Sequence, residues 1–112
     1  MSSITTHVLD TSIGRPAVGV PVTLEKQAGS GWLSAGRGIT NAEGRILDLL
    51  AGAPLAAGTY RLIFDTAAYF SARKQESFYP QVQVMFTVSD AGQHYHVPVL
   101  LSPFGYSTYR GS

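Results

Sequence analysis

The sequence contains no cysteine and no long apolar run, and each absence excludes a class of protein. Without cysteine there are no disulfides and no thiolate metal sites, so histidine and carboxylate are the remaining metal ligands. No stretch approaches the about 20 apolar residues of a membrane-spanning helix. The first ten residues lack the basic start and the apolar core of a secretory signal, which predicts a cytoplasmic protein.

Charge is also scarce. Lys, Arg, Asp and Glu make up 13% of the 112 residues, with a net charge of +1 at pH 7, against about 25% in an average soluble domain. No basic run or acidic tail indicates nucleic acid or a membrane surface as a partner. These charged side chains are too few to cover the whole surface of a monomer. We therefore expect a closed homo-oligomer in which other subunits hide part of that surface. A monomer with a surface rich in Ser, Thr, Gln and Gly is the alternative.

Short apolar–polar alternations, separated by clusters of Gly, Pro, Asn and Asp, indicate an all-β protein. A chain of 112 residues is long enough for one core, and we predict a single domain over residues 1–112, an antiparallel β-sandwich of seven or eight strands. One short helix is predicted over residues 66–75, with Thr66 as its N-cap and with Tyr69 and Phe70 packing inward. The predicted strands are residues 5–10, 20–26, 32–40, 45–49, 59–65, 81–89 and 93–102.

Period-two patterns also predict which residues face the core. The inward sets are residues 20, 22 and 24, then 60, 62 and 64, then 82, 84, 86 and 88. Between two predicted strands, Asn41-Ala42-Glu43-Gly44 reads as a hairpin turn in which Asn41 and Gly44 supply positive φ angles. Pro98 lacks a backbone donor, so we expect an edge or a bulge near the middle of the last strand.

All three histidines lie on predicted strands. His94 and His96 are two residues apart, which places both rings on one face, while Tyr95, Val97 and Val99 take the other. Two histidines in one pocket could act as general base and acid near neutral pH, or they could be structural. With His7 as a third imidazole, the set could instead hold a catalytic zinc ion, although no carboxylate stands nearby in sequence to support it.

An arginine and the end of the chain supply further polar groups. Arg45 follows a turn, where its guanidinium could offer two parallel donors to a planar anionic group or could simply be a solvated strand-end charge. The stretch from Phe104 to Ser112 combines hydroxyls, aromatic rings, a cation and two glycines. Folded back, it could stack Tyr109 on a small polar heterocycle and hydrogen-bond through Ser112. A disordered polar tail is the alternative.

Four stretches of the sequence carry a resemblance to a known family. Together they span nearly the whole chain, and through them it resembles the 5-hydroxyisourate hydrolases, which have a transthyretin-like fold. The final Y-R-G-S distinguishes these hydrolases from the hormone-carrying transthyretins, which lack it. The stretches are T-T-H-V-L-D with G-R-P-A (residues 5–10 and 14–17), N-A-E-G-R (41–45), H-Y-H-V-P-V-L-L-S-P (94–103) and G-Y-S-T-Y-R-G-S (105–112).

The resemblance implies an activity and a set of site residues. It implies hydrolytic opening of 5-hydroxyisourate at an amide bond, giving 2-oxo-4-hydroxy-4-carboxy-5-ureidoimidazoline on the route from urate to allantoin, without a metal or cofactor. It also implies a homotetramer, a dimer of dimers with the sites at the dimer–dimer interface. A small-molecule carrier on the same scaffold is the rival interpretation. The implied catalytic residues are His7, Arg45, His96 and Ser112, and the further substrate contacts are Tyr109 and Arg110.

These residue types match what amide hydrolysis needs. One of His7 and His96 would activate water as the general base, and the protonated ring or its partner would protonate the leaving nitrogen. Arg45 would anchor the oxygens of the substrate, while Tyr109 and Ser112 orient its ring. Which histidine is the base depends on tautomers and hydrogen-bond partners, and the sequence leaves that choice open.

Overall fold

A computed structural model describes residues 3–112, which form two β-sheets and one short helix. No helix within this range is long and apolar enough to cross a membrane. The structure has nine strands within this range, more than the predicted seven or eight, because two of them are only two residues long. The elements are β1 (Ile4–Asp10), β2 (Arg15–Pro16), β3 (Pro21–Ala28), β4 (Gly31–Ile39), β5 (Arg45–Ile46), β6 (Gly58–Phe64), α1 (Thr66–Ala72), β7 (Val82–Val88), β8 (Tyr95–Ser102) and β9 (Gly105–Thr108).

The first sheet has the order β2-β1-β8-β9, with β5 also pairing with β1, and the second has the order β4-β3-β6-β7. The predicted two-sheet β fold with one short helix is confirmed. One detail is wrong, because β1 and β8 run parallel. Parallel neighbours need a long connection, and here the whole second sheet lies between them in the chain. This parallel pair lies at the centre of the first sheet and carries most of the candidate site.

Alternate residues of the central strands fill the space between the sheets, as the period-two patterns predict. Burial of each such side chain contributes about 1.5–3 kcal/mol, so this interior carries most of the fold's stability. Tyr60, Leu62 and Phe64 all point inward, and on β7 Phe86 is only partly buried. Core side chains with at most 2% of their surface exposed include Val8, Val22, Leu24, Leu62, Phe64, Val82, Val99 and Leu101.

The helix begins with a different cap from the one predicted. Asp65 is the N-cap, and its carboxylate accepts a hydrogen bond of 3.1 Å from the amide of Ala68. The prediction of Thr66 as N-cap is therefore wrong. The hydroxyl of Thr66 instead donates to the carbonyl of Tyr79 over 3.2 Å. Asp65 stands one residue earlier, at the position from which a side chain reaches the free amides of the first turn.

The helix ends at Ala72 rather than at residue 75, because Lys74 takes a left-handed conformation with φ of 58°. The inward packing of Tyr69 and Phe70 is confirmed, since both are buried. The hydroxyl of Tyr69 donates to the fully buried carboxylate of Asp10 over 2.8 Å. This contact attaches the helix to β1. Burial, followed by the hydrogen bond to Asp10, raises the pKa of Tyr69 to about 12.

The turn at residues 41–44 transfers the chain between sheets instead of closing a hairpin. β4 before it belongs to the second sheet, whereas β5 after it pairs with β1 of the first. Of these four residues only Gly44 has a positive φ, 75°. Asn41 acts through its side chain, which accepts from the amides of Glu43 and Arg45 at 2.9 and 3.0 Å. The predicted hairpin is thus wrong, because these side-chain bonds bend the chain without strand pairing.

The strand predicted for residues 45–49 is confined to Arg45–Ile46. Asp48 ends it by bending the chain, since its carboxylate accepts from the amides of Leu50 and Gly52 at 3.1 and 2.9 Å. The same carboxylate accepts from the hydroxyl of Ser3 at 2.7 Å. The short strand leaves Arg45 paired with β1 while the chain turns away directly after it.

The predicted bulge at Pro98 is absent, but the continuous pairing of β8 with β9 stops at Val99, so the strand has a local unpaired edge at Pro98. β8 is flanked by β1 and β9, and its pairing with β9 runs in one register from Ser102 to Val99. The backbone pairing of β8 with the segment after β9 is interrupted at Pro98, and beyond it a single β-bridge joins His96 to Gly111. The missing amide of proline thus falls in the gap of the ladder, where no donor is required.

Candidate active site

A cleft of about 380 Å³ opens beside the outward-facing side chains of β1 and β8. It collects residues that are far apart in the chain. They come from the start of β1, from β5 and the residue after it, from the beginning of β8 and the residue before it, and from the end of the chain. A cavity of this size suits a small heterocycle. Its lining residues are Thr5, Thr6, Arg45, Leu47, His94, His96 and Ser112.

Strand pairing places these side chains on one face. The parallel pair sets Thr5 beside His96 and His7 beside Pro98. On the other side of β1, His7 is paired directly with Arg45. Directly paired residues point to the same face of a sheet. Thr5, His7, Arg45 and His96 therefore share the outer face, with His7 beside the cleft rather than among its lining residues.

His96 occupies the centre of this arrangement. Its Nδ1 lies 2.7 Å from the hydroxyl oxygen of Thr5. Partial burial and the positive charge of Arg45, with smaller contributions from His7 and His94, hold the pKa of His96 below its ordinary value of 6.5. The ring is therefore neutral at pH 7, and its Nε2, which has no hydrogen-bond partner within residues 3–112, is available to exchange a proton with a bound molecule.

The end of the chain folds back against β8. The amide of Gly111 donates to the carbonyl of His96 over 2.8 Å. A Cβ atom added to Gly111 would lie 2.5 Å from Cδ2 of the His96 ring, which is closer than real side chains approach. Glycine thus allows the backbone to pass directly along the imidazole. The tail is held against the sheet, as the folded-back alternative predicts, and Ser112 reaches the cleft.

Known proteins resemble this chain over nearly its whole length. The profile of the HIUase/Transthyretin family matches residues 4–111. The chain belongs to this family. The 5-hydroxyisourate hydrolase of Salmonella dublin is 46% identical over 109 residues, covering 97% of this chain and 80% of that protein. The resemblance seen in the sequence motifs is thereby confirmed.

Solved structures of the family have the same fold. The 5-hydroxyisourate hydrolase of Klebsiella pneumoniae superimposes with a TM-score of 0.89 at 41% identity, covering 100% of both chains. A sea bream transthyretin in complex with thyroxine gives a TM-score of 0.90 at 32% identity, covering 96% of this chain and 93% of the other. The same fold thus occurs in a hydrolase and in a transthyretin that is in complex with thyroxine, so the fold alone does not distinguish the two functions. The residues of the site must distinguish them.

Tyr109 and Arg110 lie outside the cleft of the single chain. They line a second cavity of about 240 Å³, bordered by β7 and also by His96. The guanidinium of Arg110 lies 4.5 Å from the ring centre of Tyr95 and donates to Oε1 of Gln93 over 2.9 Å. Their contact with substrate therefore stays a prediction from the family resemblance, whereas Arg45, His96 and Ser112 come together within one chain.

Sequence reasoning did not single out Thr5. Its hydroxyl oxygen contacts both Nδ1 of His96, at 2.7 Å, and Nε2 of His94, at 3.1 Å. A signal was present, because Thr5 stands two residues before His7 and a strand therefore places both on one face. What the sequence does not contain is the parallel pairing of β1 with β8, which sets this face beside His96 on β8 and beside His94 just before it.

The histidines do not form the zinc site that the sequence left open. Within residues 3–112 no group of three or more histidine or carboxylate side chains is arranged to hold a metal ion. His94 and His96 instead share the hydroxyl of Thr5. This member of the HIUase/transthyretin family thus presents two hydrogen-bonded imidazoles and a guanidinium, a set suited to proton transfer and anion binding.

Proposed function

We propose that this chain hydrolyses 5-hydroxyisourate, the substrate named in its relatives from Salmonella dublin and Klebsiella pneumoniae. Those names agree with the activity expected from the sequence motifs. The observation that carries the proposal is the convergence of His96, Arg45 and Ser112 on one small cleft. The product is the ring-opened ureidoimidazoline acid.

His96 is the general base in this proposal. Its neutral ring accepts a proton at Nε2 from a water molecule whose oxygen attacks the amide carbonyl carbon. As the tetrahedral intermediate collapses, the carbon–nitrogen bond breaks, and the leaving nitrogen takes a proton from the imidazolium or from His7. Such general acid–base catalysis contributes about 10²–10⁴-fold to a rate. The lowered pKa of His96 keeps the base form available at neutral pH.

Arg45 stabilises the negative charge on the substrate. The carbonyl oxygen becomes an oxyanion during attack, and a guanidinium offers it two parallel N–H donors. Within the described residues the ion pair present joins Arg61 to Glu25, and no carboxylate pairs with Arg45. Its donors are therefore available to a ligand, and removing one oxyanion donor typically costs about 10²–10³-fold in kcat.

The test follows the decay of freshly generated 5-hydroxyisourate by its ultraviolet absorbance. Purified protein should accelerate the decay, and His96→Asn or Arg45→Ala should each reduce kcat/KM at least about tenfold. Arg37→Ala on β4, in the other sheet, removes an equal charge away from the cleft and is the matched control. All variants should retain the wild-type circular dichroism spectrum.

The carrier interpretation predicts a different result. The sea bream transthyretin of the same fold binds thyroxine. Tight binding of thyroxine by this chain, without acceleration of 5-hydroxyisourate decay, would overturn the hydrolase proposal. Full activity in both His96→Asn and Arg45→Ala would retain the activity and overturn the assignment of its residues.

The assembly proposed for this enzyme is a homotetramer, a dimer of dimers with the clefts at the dimer–dimer interface. β7 and β9 are both edge strands, and they border the same second cavity. Unpaired edges pair readily with another chain. In the cleft, Leu47 is 65% exposed, which leaves an apolar surface for a second copy to cover. Light scattering should give the mass of four 12.0 kDa chains, and a monomer would refute it.

A further inference from the structure

The hydroxyl group of Thr5 is shared by two histidine rings. Its oxygen lies 2.7 Å from Nδ1 of His96 and 3.1 Å from Nε2 of His94. Thr5 is buried, whereas His94 is exposed at the mouth of the cleft. A threonine hydroxyl has a single proton to donate, so it can donate to one ring only and must accept from the other.

Two arrangements satisfy all three groups. In the first, Thr5 donates to Nδ1 of His96 and accepts from Nε2–H of His94, so a neutral His96 carries its proton on Nε2. In the second, Thr5 donates to Nε2 of His94 and accepts from Nδ1–H of His96, whose Nε2 is then free to accept a proton. The hydrogen bond at one ring nitrogen thus decides the chemistry of the other.

A third arrangement, in which both rings donate to Thr5, is disfavoured. It leaves the hydroxyl proton without an acceptor, because no other acceptor hydrogen-bonds to this hydroxyl in the described part of the chain. An unpaired donor on a buried side chain costs free energy. The tautomers of the two rings are therefore linked through Thr5 rather than independent.

We propose that Thr5 is a positioning residue that couples His94 to His96. A protonated His94 must donate from Nε2, which forces Thr5 to donate to His96 and sets His96 to the tautomer that donates from its own Nε2. A neutral His94 permits the tautomer that accepts there. The coupling is a property of the three side chains, and only its consequence for catalysis rests on the proposed hydrolase function.

The surroundings of His96 disfavour an added proton on its own ring. The ring of His96 is subject to the charges of Arg45 on β5, His7 on β1 and His94. The guanidinium of Arg110 in the tail lies 3.4 Å from the backbone carbonyl of His94. Burial and the charge of Arg45 disfavour the imidazolium of His96. When the exposed ring of His94 carries a proton, Thr5 transmits the change to His96.

Nitrogen-15 NMR of labelled histidine tests the coupling directly. The sequence contains three histidines, so the ring signals can be assigned with single variants. At the pH where the spectra show His94 gaining its proton, the His96 ring should stay neutral and its Nε2 should change from the unprotonated to the protonated signal. Thr5→Ser keeps the hydroxyl and should keep this response. Thr5→Val and His94→Gln should each abolish it.

Two outcomes would overturn the coupling. One is a wild-type His96 whose tautomer does not respond to the titration of His94. The other is a response that persists in Thr5→Val. Should Thr5→Val fail to fold, His94→Gln tests the same link from the other end, because glutamine can hydrogen-bond to Thr5 but cannot titrate.

Kinetics then tests the catalytic consequence. Thr5→Val should lower kcat at least about tenfold while KM changes less than about twofold, and Thr5→Ser should restore most of kcat. The acid limb of kcat/KM should report two ionisations in the wild type and one in His94→Gln. A wild type without hydrolase activity would refute the proposed function and leave the NMR result standing. An active wild type without the tautomer response would refute the coupling alone.

Discussion

The close approach of Gly111 to the His96 ring makes Gly111→Ala the most sharply defined perturbation of this protein. The added Cβ would lie 2.5 Å from Cδ2 of His96 and 3.2 Å from Cγ of Pro98. The first distance falls 0.9 Å short of the 3.4 Å at which ordinary contact begins. Either the tail or the ring must move by that amount. A misplacement of about 1 Å in a catalytic group can cost about 10²-fold in rate.

We therefore expect Gly111→Ala to lower kcat/KM for 5-hydroxyisourate about hundredfold. Gly105→Ala is the matched control, because a Cβ there meets Ser102 at 3.7 Å, an ordinary contact, in the same terminal segment. Its kcat/KM should stay within about twofold of wild type. Thermal unfolding should distinguish a displaced site from a destabilised fold. An active Gly111→Ala with wild-type kcat/KM would refute the idea that the tail positions His96.

Three predictions concern stability. Tyr69→Phe removes a buried hydrogen-bond partner of Asp10 and should lower the free energy of unfolding in urea by about 1–3 kcal/mol. Because the pKa of Tyr69 is raised from 10.0 to about 12, the stability of the wild type should also fall as pH rises through that interval. A wild-type stability that does not change over that interval would contradict this prediction. The hydrogen bond from Ser3 is the largest cause that lowers the pKa of Asp48 from 3.8. The stability that the ionised Asp48 adds to the fold is therefore lost as pH falls through that lowered pKa. The stability of Asp48→Asn should depend less on pH in this acid range. Because the pKa of His96 is lowered in the folded state, His96 in the unfolded chain binds a proton at a higher pH than in the folded chain. The free energy of unfolding should therefore decline as pH drops below 6.5. In melting curves recorded at several pH values, His96→Asn should show a smaller decline.

Much of the fold was predictable because it depends on local patterns. Strand alternation is a property of neighbouring residues, so the inward positions of Leu62 and Phe64 on β6, and of Val97 and Val99 on β8, follow from the sequence. The same alternation places His96 on the opposite face of β8. The motifs, which depend only on residue identity and spacing, indicate the family without any knowledge of which strands pair.

Long-range pairing could not be predicted in the same way. A turn such as residues 41–44 has the composition of a hairpin, yet Asn41 bends the chain so that it crosses to the other sheet. Pro98 forbids one hydrogen bond, but whether that donor is missed depends on where β9 lies. Both features are decided by which strand stands alongside, and one sequence does not record the partner of a strand.

The candidate site shows the same division. Residue identities and spacing alone indicate that two histidines share a face, that Arg45 follows a turn and that the tail carries polar groups able to bind a ligand. The folded chain adds that β1 runs parallel to β8, which brings Thr5 between His94 and His96. It also adds that Tyr109 and Arg110 line a separate cavity. Side-chain periodicity is a local property of the backbone, whereas contacts between segments distant in sequence form only when the whole core packs.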